Sequence, residues 1–574
     1  MPEYQNPQHE PGTERRLLLV FLLTFVAIAL FQPFLKKYGP PPPSPKTATQ
    51  ETAPQLPTSP AETPASTAPS VVGTKQGSSE TETIIENDLY KITFTNRGAQ
   101  VKSWILKKYD NEEQNGPLDL VNPSAAQKFG YPLSLWTYDE NLRNRLSTVL
   151  YVPSDQGHQT APSTITFEYA DTDLAVSKTF RFDHSYIVNV ETAVTYKRSS
   201  VAAFPAWPSG FGDQTNAPTY AASRVDYQNN NNIERVALKK IVGGATIGGP
   251  FQWASPADQY FAAVFMPDEP AAAAMVTLHN TMDNPQDAKR PFDVVGAAVG
   301  NLHGPTVERL YAGPKDLDVL EAVAVPGIHG AEPDLRGLVD FGWWGLIAKP
   351  LLRWPYIGLR WWYRFVRNWG WAIVIQTFII TLLLLPLRIT QMKSMLKMQR
   401  IAPQIKAVQE KYKKYSLKDP RKAAMNEEIS ALYKKEGVNP AGGCLPLLIQ
   451  FPFLIAYYRM LGIALELRHA HWLWVHDLSA RDPYFILPTF MLVSMLVTQR
   501  MTPQAGMDPA QQKMLTWTMP VVMGFIFYNL AAGLNLYYAL SNLISIAQQA
   551  IMNRTKLGRE MREMMEKRAR KKDK

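Results

Sequence analysis

The chain has 574 residues, a formal net charge of +10 and a single cysteine, Cys444. That length allows several domains, and the lone cysteine excludes an intrachain disulfide, so any exported portion must be held by its own core. A mean hydropathy of −0.19 excludes a chain that is membrane throughout and requires a large polar portion beside any apolar segments.

The first apolar run is Leu17–Phe31, preceded by Arg15 and Arg16. The residues after it offer no small-x-small cleavage pattern, so residues 1–38 are expected to be a retained anchor. Residues 39–82 are rich in Pro, Thr, Ser and Ala, cannot bury a core, and read as an extended linker. Residues 83–334 then change to short alternating runs. Tyr90, Ile92 and Phe94 alternate with polar neighbours until Asn96-Arg97-Gly98 breaks the run. Val176, Lys178, Phe180 and Phe182 share one face, and Val188, Val190, Thr192, Val194 and Tyr196 share another. Period two with turn punctuation predicts antiparallel strands and an all-β sandwich.

Residues 335–367 mix Trp343, Trp344, Trp354, Trp361, Trp362 and Tyr363 with Lys349, Arg353, Arg360, Arg364 and Arg367. This composition suits an amphipathic helix lying at a headgroup boundary; a buried Trp-rich packing helix is the alternative. Five further apolar segments follow in residues 368–553: Trp369–Leu387, Leu445–Leu461, Tyr484–Val497, Leu515–Leu530 and Leu534–Met552. The first of these holds 19 residues without a charge, enough for a hydrocarbon core of about 30 Å. With the anchor, six spans are predicted.

Two basic segments set the topology. Residues 388–440 carry 13 Lys and Arg against 5 Asp and Glu, and residues 554–574 carry 10 against 4. The positive-inside rule places both in the cytoplasm, which puts both termini inside and the β domain outside. Within 388–440, Met398, Ile401, Ile405, Val408, Tyr412 and Tyr415 form an apolar helical seam. Pro403 is expected to kink or restart that helix, Asp419-Pro420 to end it, and Met425, Ile429 and Leu432 to form the facing seam of a hairpin. The other faces bear Lys393, Lys397, Arg400, Lys411, Lys413 and Lys414, and the tail ends in Lys567, Arg568, Arg570, Lys571 and Lys572. These are either solvated faces that satisfy topology or landing surfaces for anionic lipid or ribosomal RNA.

The spans contain no titratable group at mid-depth, which argues against an ion-coupled pump. The first of the five has only Gln376, Thr377 and Thr381 as polar side chains; Gln450 lies in the next, and Asn529, Asn535, Asn542, Gln548 and Gln549 occur in the last two. No Walker A, HExxH or GxSxG sequence occurs, so hydrolysis and nucleotide coupling have no seat. His469, His471, His476 and Asp477 fit no standard metal spacing and read as an interfacial loop beside Trp472 and Trp474. No metal, cofactor or small-molecule substrate is expected.

Three runs carry a resemblance. Val438-Asn439-Pro440-Ala441-Gly442-Gly443-Cys444-Leu445-Pro446 continues to Gln450-Phe451-Pro452. Leu473-Trp474-Val475-His476-Asp477-Leu478-Ser479 is followed by Asp482-Pro483-Tyr484. Gly533-Leu534-Asn535-Leu536-Tyr537-Tyr538 is followed by Ser541-Asn542. They resemble the YidC/Oxa/Alb family of membrane protein insertases, in its long Gram-negative form. Thr95-Asn96-Arg97-Gly98 and Gln259-Tyr260-Phe261-Ala262 in the β domain look similar as well.

The resemblance implies a six-span inner-membrane insertase that is not an enzyme, with a periplasmic β domain. Its five core spans would form a groove open to cytosol and lipid and closed outside. Clients would slide along Phe451, Pro452, Pro520, Val522, Ile526 and Phe527, while Thr377 and Tyr538 would line the groove. Nascent clients, the Sec translocon, the ribosome and anionic lipid are the implied partners. The chain departs from the family at Thr381, which stands where an arginine is usual, and Gln376 stands where the family is apolar. Arg388 matches a juxtamembrane basic residue and is not an obvious substitute. A damp, uncharged cleft lined by Gln376, Thr377, Thr381 and Tyr538 is therefore expected to ease polar client segments into lipid. The competing readings are a channel or solute transporter, and a periplasmic binding module whose spans only anchor it.

Overall fold

The structure, a computed structural model, describes residues 73–212, 223–229, 232–283, 291–325, 334–340, 345–412, 415, 419, 421–435, 437, 457, 460–461, 464–501, 509–556, 558–559 and 563. Outside them lie the N-terminal anchor, the linker up to residue 72, Cys444, Phe451, Pro452, Lys413, Lys414 and the tail bases from Lys567 to Lys572.

The alternating runs form strands. Leu174–Phe182 buries every second side chain, and its partner Ile187–Tyr196 does the same. These two strands sit in a ten-stranded sheet with Phe261–Pro267 and Thr306–Pro314. Two five-stranded sheets, one holding Gln100–Asp110 and one holding Ala273–Met282, complete the domain. Their inward faces merge in one core that includes Trp104, Phe167, Phe180, Trp207 and Trp253.

The domain is mostly β-sheet, yet its described residues also hold three short helices that the alternation does not predict. They are α1 (Pro123–Phe129), α2 (Glu140–Thr148) and α3 (Leu317–Glu321). Each starts at a side-chain cap: Asn122 accepts from the Ala125 amide, Asp139 from Asn141 and Leu142, and Asp316 from Asp318 and Val319. They are five to nine residues long, too short for a helical period to register.

Lys178 occupies an inward position in its strand and is fully buried. Its Nζ donates to the carbonyls of Gly98 at 3.1 Å and Leu133 at 2.6 Å, and also to that of Ala99. All three residues have positive φ, at +69°, +63° and +45° respectively. Left-handed backbone is costly for residues with a Cβ. The ammonium thus ties the turn at Gly98–Ala99 to the segment around Leu133, beside the Val101 amide's bond to the Pro132 carbonyl.

Glu308 is equally buried, and neither carboxylate oxygen has a partner among the described residues. Burial, with Asp268 nearby, holds its pKa well above the carboxylate range. A raised pKa means that stability is fully present below about pH 4.3 and falls as pH rises toward the folded value. Glu308→Gln removes the ionisation. It is expected to flatten that decline, with melting raised by about 2–4 °C per kcal/mol recovered at pH 8. Thermal melting across pH checks this.

The C-terminal part is helical: α4 (Gly345–Val366), α5 (Trp369–Leu383), α6 (Leu385–Lys411), α7 (Arg421–Lys435), α8 (Ile486–Met501), α9 (Pro509–Tyr528) and α10 (Ala532–Arg554). Among the described residues no single helix is long and apolar enough to cross a membrane. The segment read as one span over Trp369–Leu387 instead breaks at Leu384, and α5 with the start of α6 is long and apolar enough to span only as a pair bent by 54°. Pro386 is the physical reason, since its ring and missing amide oppose a continuous helix. Pro403, in contrast, lies inside α6 without ending it. It is on the exposed side, while Ile401 and Ile405 bury against Ile429, Leu432 and Tyr433 of α7. Gly437, at φ +59°, follows the end of α7.

Candidate functional site

The helical core is arranged around one face of α10. Asn535, Tyr538, Asn542, Ser545 and Gln549 recur at intervals of three and four residues, which places five polar side chains in a row along that helix. Asn535 is fully buried and donates to the carbonyls of Phe527 and Leu530 at 3.1 and 3.2 Å, tying the end of α9 to α10. Tyr538 packs edge-on against Phe527 with ring centres 4.7 Å apart. Asn542 donates to Ser494 of α8 at 3.2 Å. Ser545 accepts from Arg388 of α6 at 2.9 Å and donates to the Ser541 carbonyl. Gln549 donates to Asn553.

Arg388 has no carboxylate partner among the described residues; its hydrogen bond there is the one to Ser545. A guanidinium turned toward a helical bundle, with four of its N–H groups meeting no partner among the described residues, is a strong anion-seeking group. The sequence reading set Arg388 aside as juxtamembrane. Its side chain in fact reaches the last helix.

The four residues expected to line a cleft differ in setting. Gln376 is buried and donates to the Pro355 carbonyl of α4 at 2.7 Å, while its Oε1 has no partner among the described residues. Thr377 is fully buried, donates to the Ile373 carbonyl at 2.6 Å and meets the Tyr457 hydroxyl. Thr381 donates back to the Thr377 and Phe378 carbonyls of its own helix. Tyr538 alone sits on the polar row of α10.

Of the expected client-sliding residues, Val522 and Ile526 point out of α9 and are exposed, while Pro520 and Phe527 point inward. Val521 and Phe525 extend the exposed strip, and Phe378 and Leu383 of α5 and Phe490 and Val493 of α8 add to it. So much exposed apolar surface demands a lipid or protein covering. Of the basic residues, Lys393, Lys397, Arg400 and Lys411 are exposed on the hairpin, with Lys411 3.2 Å from Glu428.

Residues 464–485 form a loop across the starts of α5 and α10. Its Leu478 and Ala480 carbonyls accept from the Gly533 and Ala532 amides at 2.8 and 2.7 Å, and its His471 carbonyl accepts from Asn368 at 2.9 Å. Trp472 lies on Gly370 so closely that a Cβ there would come within 2.1 Å of the indole. Asp482 accepts from the Tyr484 and Leu487 amides and from the Trp474 indole, which starts α8. The His471 and His476 rings are 5.8 Å apart.

Sequence reasoning singled out neither Ser494 nor Ser545, and it noted Arg388 only as a juxtamembrane base. The three-four spacing from Asn535 to Gln549 was the available signal, and it was read as a set of scattered amides.

Comparison with known proteins separates the same two parts of the chain. The 60Kd inner membrane protein family matches residues 361–559, and the YidC periplasmic domain family matches residues 82–354. A "Membrane protein insertase YidC" from Syntrophus aciditrophicus is 30% identical over 570 residues, covering 94% of this chain and 99% of the relative. One of the same name from Geotalea uraniireducens is 31% identical with the same coverage. A solved structure described as an active YidC insertase with its first transmembrane domain resolved aligns at 20% identity over 84% of this chain and 94% of that one, with a TM-score of 0.33.

Proposed function

The chain belongs to the YidC family of membrane protein insertases, and from that premise we propose how its own residues carry the activity. It is an inner-membrane insertase with a periplasmic domain made mostly of β-sheet. Its clients are membrane proteins.

In the proposed arrangement the chain crosses the membrane six times, with both termini in the cytoplasm. The exposed apolar strip on α5, α8 and α9 faces lipid, and the polar row of α10 faces the client path. The observation that carries this is the row itself, with Arg388 bonded to Ser545 toward the C-terminal end of α10. A charged client residue at the bilayer centre costs about 2.5–3.5 kcal/mol on insertion scales. Amides, hydroxyls and one guanidinium along the path lower that cost without any bond chemistry. Val522 and Ile526 offer the client's apolar residues a surface beside the row. Release needs no fuel, because an apolar helix of about 20 residues is more stable in lipid than in a polar path.

Arg388 takes the place that Thr381 leaves empty, supplying a cation seven residues further along. Lys393, Lys397, Arg400 and Lys411 present a basic hairpin surface suited to anionic lipid headgroups or ribosomal RNA, and the same chemistry extends to the tail. The Sec translocon is proposed as a second partner on the strength of the family resemblance alone.

Proteoliposomes holding this chain are expected to insert a short single-span client that empty liposomes leave accessible to added protease. Equal protection in empty liposomes would overturn the reading.

A further inference from the structure

Of the residues expected to line the cleft, Gln376 is the one that reaches α4. It is buried on α5, and its Nε2 donates to the Pro355 carbonyl at 2.7 Å. Its Oε1 is buried as well and has no partner among the described residues. Gly358, three residues further along α4, faces the same amide. A Cβ there would lie 3.5 Å from Nε2 and 3.8 Å from the amide carbon. The missing side chain leaves the amide room to lie against α4.

An amide placed this way returns little stability. The gain from its one hydrogen bond is offset, or more than offset, by the desolvation of an acceptor that meets no donor. What the bond does supply is direction. The other α4–α5 contacts among the described residues are apolar or aromatic. Leu359 shares a buried cluster with Ala372 and Ile373, and Tyr363 stacks flat on Trp369 with ring centres 4.0 Å apart. Apolar burial is non-directional, so it brings two helices together without fixing their register. A buried hydrogen bond fixes register, because sliding by one turn strips the amide of its acceptor. The Arg360–Asp318 pair, which joins α4 to α3, is too exposed to hold α4 firmly.

The register of α4 on α5 bears on the polar row, because α5 packs against both α4 and α10. Ile373 lies so near the start of α10 that a Cβ at Gly533 would come within 3.5 Å of its Cδ1. Beyond the bend at Leu384, the same run of chain carries Arg388 to Ser545.

We propose that Gln376 is a positioning residue for insertion: its amide locks α4 to α5 in a single register, which keeps α5 and Arg388 in a fixed place beside α10. This rests on the insertase reading for the activity it serves. The lock itself rests only on the contacts above. Gln376 thus shapes the client path and does not line it, since one amide atom is spent on Pro355 and the other is sealed from solvent.

The test uses the full chain in proteoliposomes, with Cys444→Ser and spin labels carried on Ile357→Cys of α4 and Phe378→Cys of α5, both exposed positions. With Gln376 in place, one narrow label-to-label distance is expected. Gln376→Met keeps the side chain's length and removes the amide. It is expected to broaden the distance and to leave the melting temperature unchanged or higher, as apolar replacement of a half-satisfied buried polar group does. Insertion should fall roughly threefold, the scale of one hydrogen bond between helices in a membrane, for a client with a polar tail and one with an apolar tail alike. Gly358→Val leaves Gln376 in place but crowds its amide, and should broaden the distance and lower insertion of both clients as well. Narrow distances in both variants would overturn the lock. A loss confined to the polar-tailed client would make Gln376 a lining residue and overturn the positioning role. Insertion that falls only in step with the melting temperature, or that holds steady while distances broaden, would overturn it too. If the distances broaden but the protein with Gln376 in place inserts no client, the lock stands and the insertase reading falls.

Discussion

Arg388→Met is expected to lower insertion of a client with an acidic residue in its translocated tail by roughly tenfold, while a client with a neutral tail inserts nearly as before. The reason is local. Arg388 makes its hydrogen bond to Ser545, and no described carboxylate neutralises it. An acidic client residue passing that point gains a partner worth about 1–2 kcal/mol after desolvation, a sizeable part of the 2.5–3.5 kcal/mol it costs to bring a charge into the bilayer. The bundle itself should tolerate the change, because Ser545 still donates to the Ser541 carbonyl. Arg388→Lys keeps the charge and should retain more activity on acidic clients than Arg388→Met. Protease protection of paired acidic and neutral clients reads the difference directly. An equal effect on both clients would show that Arg388 only holds α6 to α10.

Lys178→Met is expected to destabilise the β domain by about 3–5 kcal/mol, a large fraction of the stability of a domain this size. The substitution leaves the Gly98, Ala99 and Leu133 carbonyls buried without their donor, and each such group costs about 1–3 kcal/mol. Part of this is offset because an ammonium no longer has to be desolvated. Two of the three residues, Ala99 and Leu133, hold positive φ with a Cβ, and that strain persists once its tie is gone. The pH dependence gives a second readout. Burial pushes the Lys178 ammonium down to about 7, against about 10.4 in an unfolded chain. Between those values the unfolded chain holds a proton that the folded one has released, so raising the pH favours folding. The gap between the unaltered protein and Lys178→Met should widen from pH 7 to pH 10. Urea unfolding followed by the fluorescence of the buried Trp104, Trp207 and Trp253 would measure both effects.

These two lysine and arginine positions mark how far the sequence could be read. Lys178 stood on the apolar face of an alternating run, so its inward direction was visible in one dimension. Its three acceptors were not, because they come from segments 45 to 80 residues away. Arg388 was visible as a basic residue at the end of an apolar segment. Whether it turned toward the headgroups or toward α10 depended on the bend at Leu384, and no local pattern sets the direction of that bend.

Local chemistry determined a good deal by itself. Alternation placed the strands of the β domain, because side-chain direction reverses at each residue along a strand. The 3.6-residue repeat placed the hairpin seam of Ile401 and Ile405 against Ile429. Charge density separated the basic loop and tail from the rest, and long unbroken motifs carried the family. All of these are properties of neighbours in the chain. Only the tertiary structure decided which polar residues share a face with a partner. Gln376 turned to α4, while Ser545 received Arg388 and the 464–485 loop settled on Phe261 and Glu112 of the β domain. Those pairings join residues 21 to 356 positions apart, and they exist because buried charges and amides must find partners wherever packing brings them.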